Sequence, residues 1–212
     1  MKAPERRERE IARTREDILD AAARAFARTG MQATTMQDIA REAGYTAASL
    51  YTYFRSKGEI EEGLLHQLTT EFLQIFDRPM PEGLSFQQRF DALMLRHMEL
   101  IERRLPLFVS FHAGQQGAGP CHGDAIGKRF HEDFERRMQR LARWFDDNAG
   151  PDDLGGHDSE TAARLLFGMA LGLLNRRLFS PDEGHLTDLA PVIREFFFYG
   201  VSGRNKAGAK TK

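Results

Sequence analysis

The chain has 212 residues, 41% hydrophobic and 29% charged, with 30 Lys and Arg against 31 Asp and Glu and one cysteine, Cys121. That composition excludes disordered, collagen-like and disulfide-scaffold proteins. No apolar leader opens the chain, and its longest apolar stretch, 165–174, holds two glycines and falls short of the roughly 18 residues a span requires, so the expectation is a cytoplasmic protein of one or two domains without membrane contact.

Helical periodicity runs almost throughout. Over 15–29, Ile18, Ala22, Ala25 and Phe26 share one face, Thr14 stands as an N-cap and Gly30 as a stop. A two-turn helix follows from Thr35 as cap, with Met36, Ile39, Ala40 and Ala43 on one face before Gly44. Thr46 caps a third helix predicted over 47–54. Ser56 caps a fourth, which carries Ile60, Leu64, Leu65, Leu68, Phe72 and Phe76 inward until Pro79 and Pro81 end it. Further helices are predicted at 86–104, 107–116, 125–148, 159–179 and 186–202, separated by Gly-, Pro- and Asp-rich linkers at 114–127 and 150–158. No alternating strand pattern occurs. The fold class is therefore all-α, about nine helices.

Charge divides the chain further. Residues 1–58 hold 11 basic and 8 acidic groups, and the remainder 19 and 23, so a +3 segment precedes a −4 segment although the whole carries only −1. The expected organisation is a charged arm over 1–12, a first helical domain over 13–58 with two short helices at 35–54, a second helical domain over 59–203, and a basic flexible tail over 204–212.

Two short helices joined by Gly44-Tyr45-Thr46 and braced by a longer one make a helix-turn-helix. The small Ala40 and Ala43 allow close approach, while Ile39 and Leu50 fill the wedge. What is left on the outside of the second helix is small, polar and aromatic, with no acid. The run from Thr34 to Lys57 resembles the N-terminal domain of the TetR (tetracycline repressor)-type family of transcriptional regulators. The resemblance rests on Thr35, Ile39-Ala40, Ala43-Gly44, Thr46, Leu50-Tyr51, Tyr53-Phe54 and Ser56-Lys57, and extends over about residues 13–65. It implies a ligand-responsive regulator, in the first instance a repressor, that binds double-stranded DNA at a palindromic operator as a homodimer. Position by position, it implies a phosphate contact at Thr35 and a base contact at Gln37. Thr46 caps the reading helix, Ala47, Ala48, Ser49, Thr52 and Tyr53 face base edges or flanking backbone, and Tyr51 and Lys57 grip phosphates. Two residues depart from the family pattern: Tyr45 stands for a small β-branched residue and Ala48 for glycine.

For the rest of the chain the resemblance implies only a helical ligand-binding and dimerisation domain. The residues add candidates. The segment 159–179 is apolar almost all round and needs cover on more than one side, and 191–199 offers a second apolar surface. Leu166, Gly168, Met169, Gly172, Leu173, Ile193 and Phe197 are the expected dimer contacts. For a small-molecule effector the candidates are Phe90, Met94, His97, Phe108, Phe111, His112, Phe134, Met138, Trp144, Phe167 and Asn175. No metal or cofactor is expected, because His112, Cys121, His122 and His131 lack paired ligand spacing. Two other readings stay open: a helical small-molecule sensor that does not bind DNA, and an enzyme built on Cys121.

Overall fold

A computed structural model describes residues 3–108, 125–179 and 184–200. Every regular element among them is helical: α1 Ala3–Thr29, α2 Met36–Ala43, α3 Ala47–Leu50, α4 Lys57–Asp77, α5 Phe86–Arg103, α6 Ala125–Asn148, α7 Ser159–Phe179, a 3-10 turn Leu186–Asp188 and α8 Leu189–Tyr199. Residues 105–108 are also helical, which is as much of the segment predicted at 107–116 as the described residues include. None of the helices described is long and apolar enough to cross a membrane. The chain divides into two compact units, Met1–Thr70 with Arg104–Asp133, and Glu71–Arg103 with Phe134–Lys212.

The first unit keeps α4 as far as Thr70 rather than ending at residue 58, and its core explains why. Ile60 and Leu64 of α4 are buried with Ile18, Ala22, Ala25 and Phe26 of α1, Ile39 of α2, Leu50 and Phe54, and Leu107. Helix α1 also begins twelve residues before the predicted start. Thr14 does not cap it; its hydroxyl donates to the Glu10 carbonyl at 2.9 Å, as a mid-helix threonine does. Pro4 falls in the first turn, where its missing N–H costs nothing, and Arg6 pairs with Glu10 one turn on. The charged arm is thus a solvated extension of α1.

The turn between α2 and α3 follows the glycine's special backbone. Gly44 adopts φ +75°, a left-handed conformation that costs a side-chain-bearing residue about 1–2 kcal/mol. There its amide donates to the Arg41 carbonyl and that of Tyr45 to Ala40, satisfying the last carbonyls of α2. Helix α3 stops at Leu50, four residues earlier than predicted. The amides of Thr52 and Tyr53 donate to the carbonyls of Ser49 and Leu50, three residues back, so the chain tightens into a turn.

In the second unit, Ser85 and Gln88 form a capping box at α5, and the Asp158 carboxylate accepts from the Thr161 amide at the start of α7, which holds that carboxyl below its usual range. The helix predicted at 186–202 is broken into the 3-10 turn and α8, with Pro191 in the first turn of α8. An aromatic cluster fills this unit. Phe90 stacks on Phe197 at 4.8 Å and Phe145 on Phe197 at 5.7 Å, with Phe86, Trp144 and Phe198 edge-on or tilted around them.

Candidate nucleic-acid interface

Helices α2 and α3 and the residues flanking them carry the predicted reading residues other than Lys57, and their caps determine which groups remain available. The Thr35 hydroxyl donates to the Asp38 carboxylate at 2.6 Å and accepts from the Asp38 amide at 3.2 Å. The Thr35 hydroxyl and the Thr35 amide, which both donate to the Asp38 carboxylate, hold that carboxyl below its ordinary value, with Arg41 adding to the effect. A hydroxyl committed in both directions leaves the first amides of α2 as the donors an anion would meet. Gln37 is exposed beside them.

At α3 the Thr46 oxygen accepts from the Ser49 amide at 3.1 Å and lies 2.9 Å from the Ser49 hydroxyl, while the Thr52 hydroxyl donates to the Ser49 carbonyl. Thr46, Ser49 and Thr52 therefore bind their own backbone or one another. Ala48 and Thr52 are exposed and Ala47 and Ser49 partly so. Tyr51, 53% exposed, presents its ring and hydroxyl outward. Tyr53 is half-buried against the core, its ring 6.3 Å from that of Tyr45. The surface is apolar-methyl, amide and aromatic, and no carboxylate stands on α3.

Lys57 departs from expectation. Its ammonium donates to the carbonyls of Met31 and Gln32 at 2.9 and 3.4 Å and lies 3.9 Å from Glu61, whose carboxyl burial pushes up. It fastens the start of α4 to the segment after α1, so a role as outward phosphate grip is not what its geometry favours. Other side chains that hold the reading elements were not singled out from the sequence. Glu42 of α2 accepts from both Arg28 and Arg24 of α1, at 2.8 and 3.0 Å, and these two bonds lower its carboxyl. Thr34, fully buried, donates to the Gly30 carbonyl at 2.7 Å. Arg15 joins α1 to Tyr53 and Glu59. The available signal was its place three residues before Ile18, on the buried face of α1.

Of the effector candidates, Phe90 and Trp144 belong to the aromatic cluster, fully or almost fully buried; Met94 and Met138 are buried too, and Phe134 packs on Phe167 at 4.9 Å. Asn175 is partly buried. Phe108 falls in the first unit, and Phe111, His112, Cys121 and His122 lie outside the described residues, as does the tail from 204. His131 is exposed.

His97 is set against Phe76 and Phe72, ring centroids 5.3 and 5.8 Å away, and its Nδ1 lies 2.8 Å from the Leu93 carbonyl. A carbonyl cannot donate, so Nδ1 carries the proton and Nε2 is left as an acceptor. Burial, with nearby Arg137 acting in the same direction, lowers this imidazole from 6.5 to about 4. The unfolded chain therefore binds more protons between those values. Stability from this group is complete above about pH 6.5 and declines towards pH 4, at a slope of up to about 1.4 kcal/mol per unit. Denaturant titrations across that window should show the decline in the wild type and a flatter profile in His97→Gln; equal slopes in the two would refute the assignment.

Among the expected dimer contacts, Leu166 and Ile193 are 2% and 0% exposed within this chain, and Phe197 stacks inward on Phe90 and Phe145. They serve the core instead. Gly168 and Gly172 are exposed, with Met169 and Leu173 partly so. Among the described residues, Leu165 on α7 and Val192, Phe196 and Tyr199 on α8 face outward; they lie in the two apolar segments expected to need cover but were not named as individual dimer contacts.

Residues 18–63 match the family model described as bacterial regulatory proteins, tetR family. The chain is 26% identical over 216 residues to the HTH-type transcriptional regulator AcrR of Shigella flexneri, covering 93% of this chain and 95% of that one. It is 32% identical over 93 residues to the HTH-type transcriptional repressor KstR2 of Mycolicibacterium smegmatis, a match that spans 44% of this chain and 45% of that repressor. A solved structure of FadR from Bacillus subtilis, in complex with stearoyl-CoA, shares the fold with a TM-score of 0.71 at 17% identity, covering 88% of this chain and 98% of that one.

Proposed function

We propose that this chain, whose residues 18–63 match the model of the tetR family of bacterial regulatory proteins, acts as a homodimeric repressor released from a palindromic operator by a small apolar or amphipathic effector. The observation that carries this reading is the acid-free helix α3 with Ala48 exposed, followed by exposed Tyr51 and Thr52, together with exposed Gln37 in the first turn of α2. Helix α3 itself brings no carboxylate towards the phosphates and can meet thymine methyls with methyls of its own. Few cations point from it, so affinity depends on two copies reading two half-sites together. The second unit is the part available for an effector, and the fold tolerates a long amphipathic ligand in FadR, whose structure holds stearoyl-CoA. Operator and effector would favour different arrangements of the dimer, and each would weaken the other.

The test is selection from a random duplex library with the full-length protein. A symmetric site should emerge, with half-sites about 10 base pairs or a multiple of that apart. Recovery of no symmetric sequence, with equal weak affinity for every duplex at physiological salt, would overturn the proposal and favour a sensor that does not read DNA.

A further inference from the structure

Helix α3 has only four residues, too few to hold its own geometry, and the surface that reads DNA continues beyond it through Tyr51 and Thr52. Something else must fix that turn. The Arg15 side chain reaches it from α1, on the same face as Ile18 and Ala22. One guanidinium nitrogen, Nη1, donates to the Tyr53 carbonyl and the other, Nη2, to Glu59 Oε1 at 3.1 Å, while the guanidinium lies 4.0 Å over the Phe54 ring. The second Glu59 oxygen accepts from the Arg55 amide at 2.7 Å. Residues 53–55, the link from α3 to α4, are thus bracketed by one arginine and one glutamate.

We propose that Arg15 is a positioning residue for operator reading, clamping the end of the reading helix to the first turn of α4. The proposal rests on the DNA-binding reading given above. A guanidinium alone supplies two parallel donors and a flat face for an aromatic ring, so lysine could keep the charge but not the clamp. The pair is about one-third exposed on each side, so its contribution to global stability is small. Its effect is local: it limits the motion of Tyr51 and Thr52 and so spares the complex the cost of ordering them on binding. The bonds of Arg55 and Arg15 to Glu59 keep that carboxyl ionised below its ordinary range, so the clamp holds at neutral pH.

Full-length wild type, Arg15→Lys, Arg15→Ala, Glu59→Gln and the Arg15→Ala/Glu59→Gln pair are compared by amide hydrogen exchange in the free protein and by titration of the selected duplex at several salt concentrations. Exchange should quicken at residues 51–55 in Arg15→Ala while Ile18 to Phe26 stays protected. Operator affinity should fall about tenfold, equivalent to about 1.4 kcal/mol, with the double variant no weaker than Arg15→Ala. Arg15→Lys should show the same loss in smaller measure, and it keeps the test in hand where the alanine variant does not fold. The salt slope should stay at the wild-type value. A slope lowered by about 0.9 would make Arg15 a phosphate contact instead. Unchanged exchange at 51–55, or full recovery by lysine, would also overturn the clamp. Should the wild type select no duplex, the functional reading fails while exchange still decides the clamp.

Discussion

Glutamate in place of Ala48 should abolish operator binding, with an affinity loss of at least about 100-fold and almost no change in stability. Ala48 is exposed in the middle of α3, where its methyl stands on a face that carries no acid. A carboxylate there would lie within a few ångströms of backbone phosphates in any complex that uses this face. At an effective dielectric of about 20, unit charges about 4 Å apart repel by about 4 kcal/mol, more than enough for the predicted loss. Glutamate is a good helix former, and the site is open to solvent, so the melting temperature should hold. Ala48→Gln, nearly the same in shape, separates charge from bulk. Fluorescence anisotropy with the selected duplex reads both variants. A glutamate variant that binds within threefold of wild type would remove α3 from the interface.

Phe90→Ala should cost about 3–5 kcal/mol, a large share of the roughly 5–15 kcal/mol that holds a protein folded. The ring is fully buried, stacked on Phe197 at 4.8 Å and edge-on to Phe198 at 5.0 Å. Each neighbour belongs to α8, and Phe145, which stacks on the other side of Phe197, belongs to α6. Removing Phe90 thus empties the point where α5, α6 and α8 share aromatic surface. Urea unfolding measures the loss. A change below about 1 kcal/mol would mean that the ring lines a space the protein keeps open, as expected of an effector wall, rather than filling a core.

The reading domain was legible because its local signals agree with its packing. Thr35, Gly44 and Thr46 act as cap, stop and cap, and Ile18, Phe26, Ile39 and Leu50 are buried as their spacing requires. The start of α1 was misplaced because Thr14 offers the same hydroxyl whether it caps a helix or bonds back within one. The end of α3 was misplaced because nothing in Tyr51-Thr-Tyr-Phe54 announces a change from i+4 to i+3 bonding. Lys57 and Arg15 show a harder limit. Lys57 bonds to two backbone carbonyls distant in sequence, and Arg15 to one beside its Glu59 and Phe54 contacts; carbonyls leave no mark on residue identity. On α7 and α8 the sequence named the apolar segments but did not separate their outward residues from their inward ones. Leu165, Gly168 and Gly172 follow helical spacing, as do Val192, Phe196 and Tyr199, and a stricter separation of neighbours by 100° would have set them apart from Leu166 and Ile193. In the second unit, aromatics that build a core and aromatics that line a pocket have the same composition and periodicity.

Gly168 and Gly172 sit mid-helix in α7 and face outward, and a methyl built on either meets no other atom within 4 Å among the described residues. Within one chain, each should therefore be improved by alanine, since glycine is about 0.8–1.0 kcal/mol the poorer helix former. If a second copy lies against this strip, the same methyls intrude on it. The two substitutions then give changes of opposite sign, a higher melting temperature for the separated chain and weaker association of two. Folding and assembly, usually entangled in an obligate pair, become separable at two atoms.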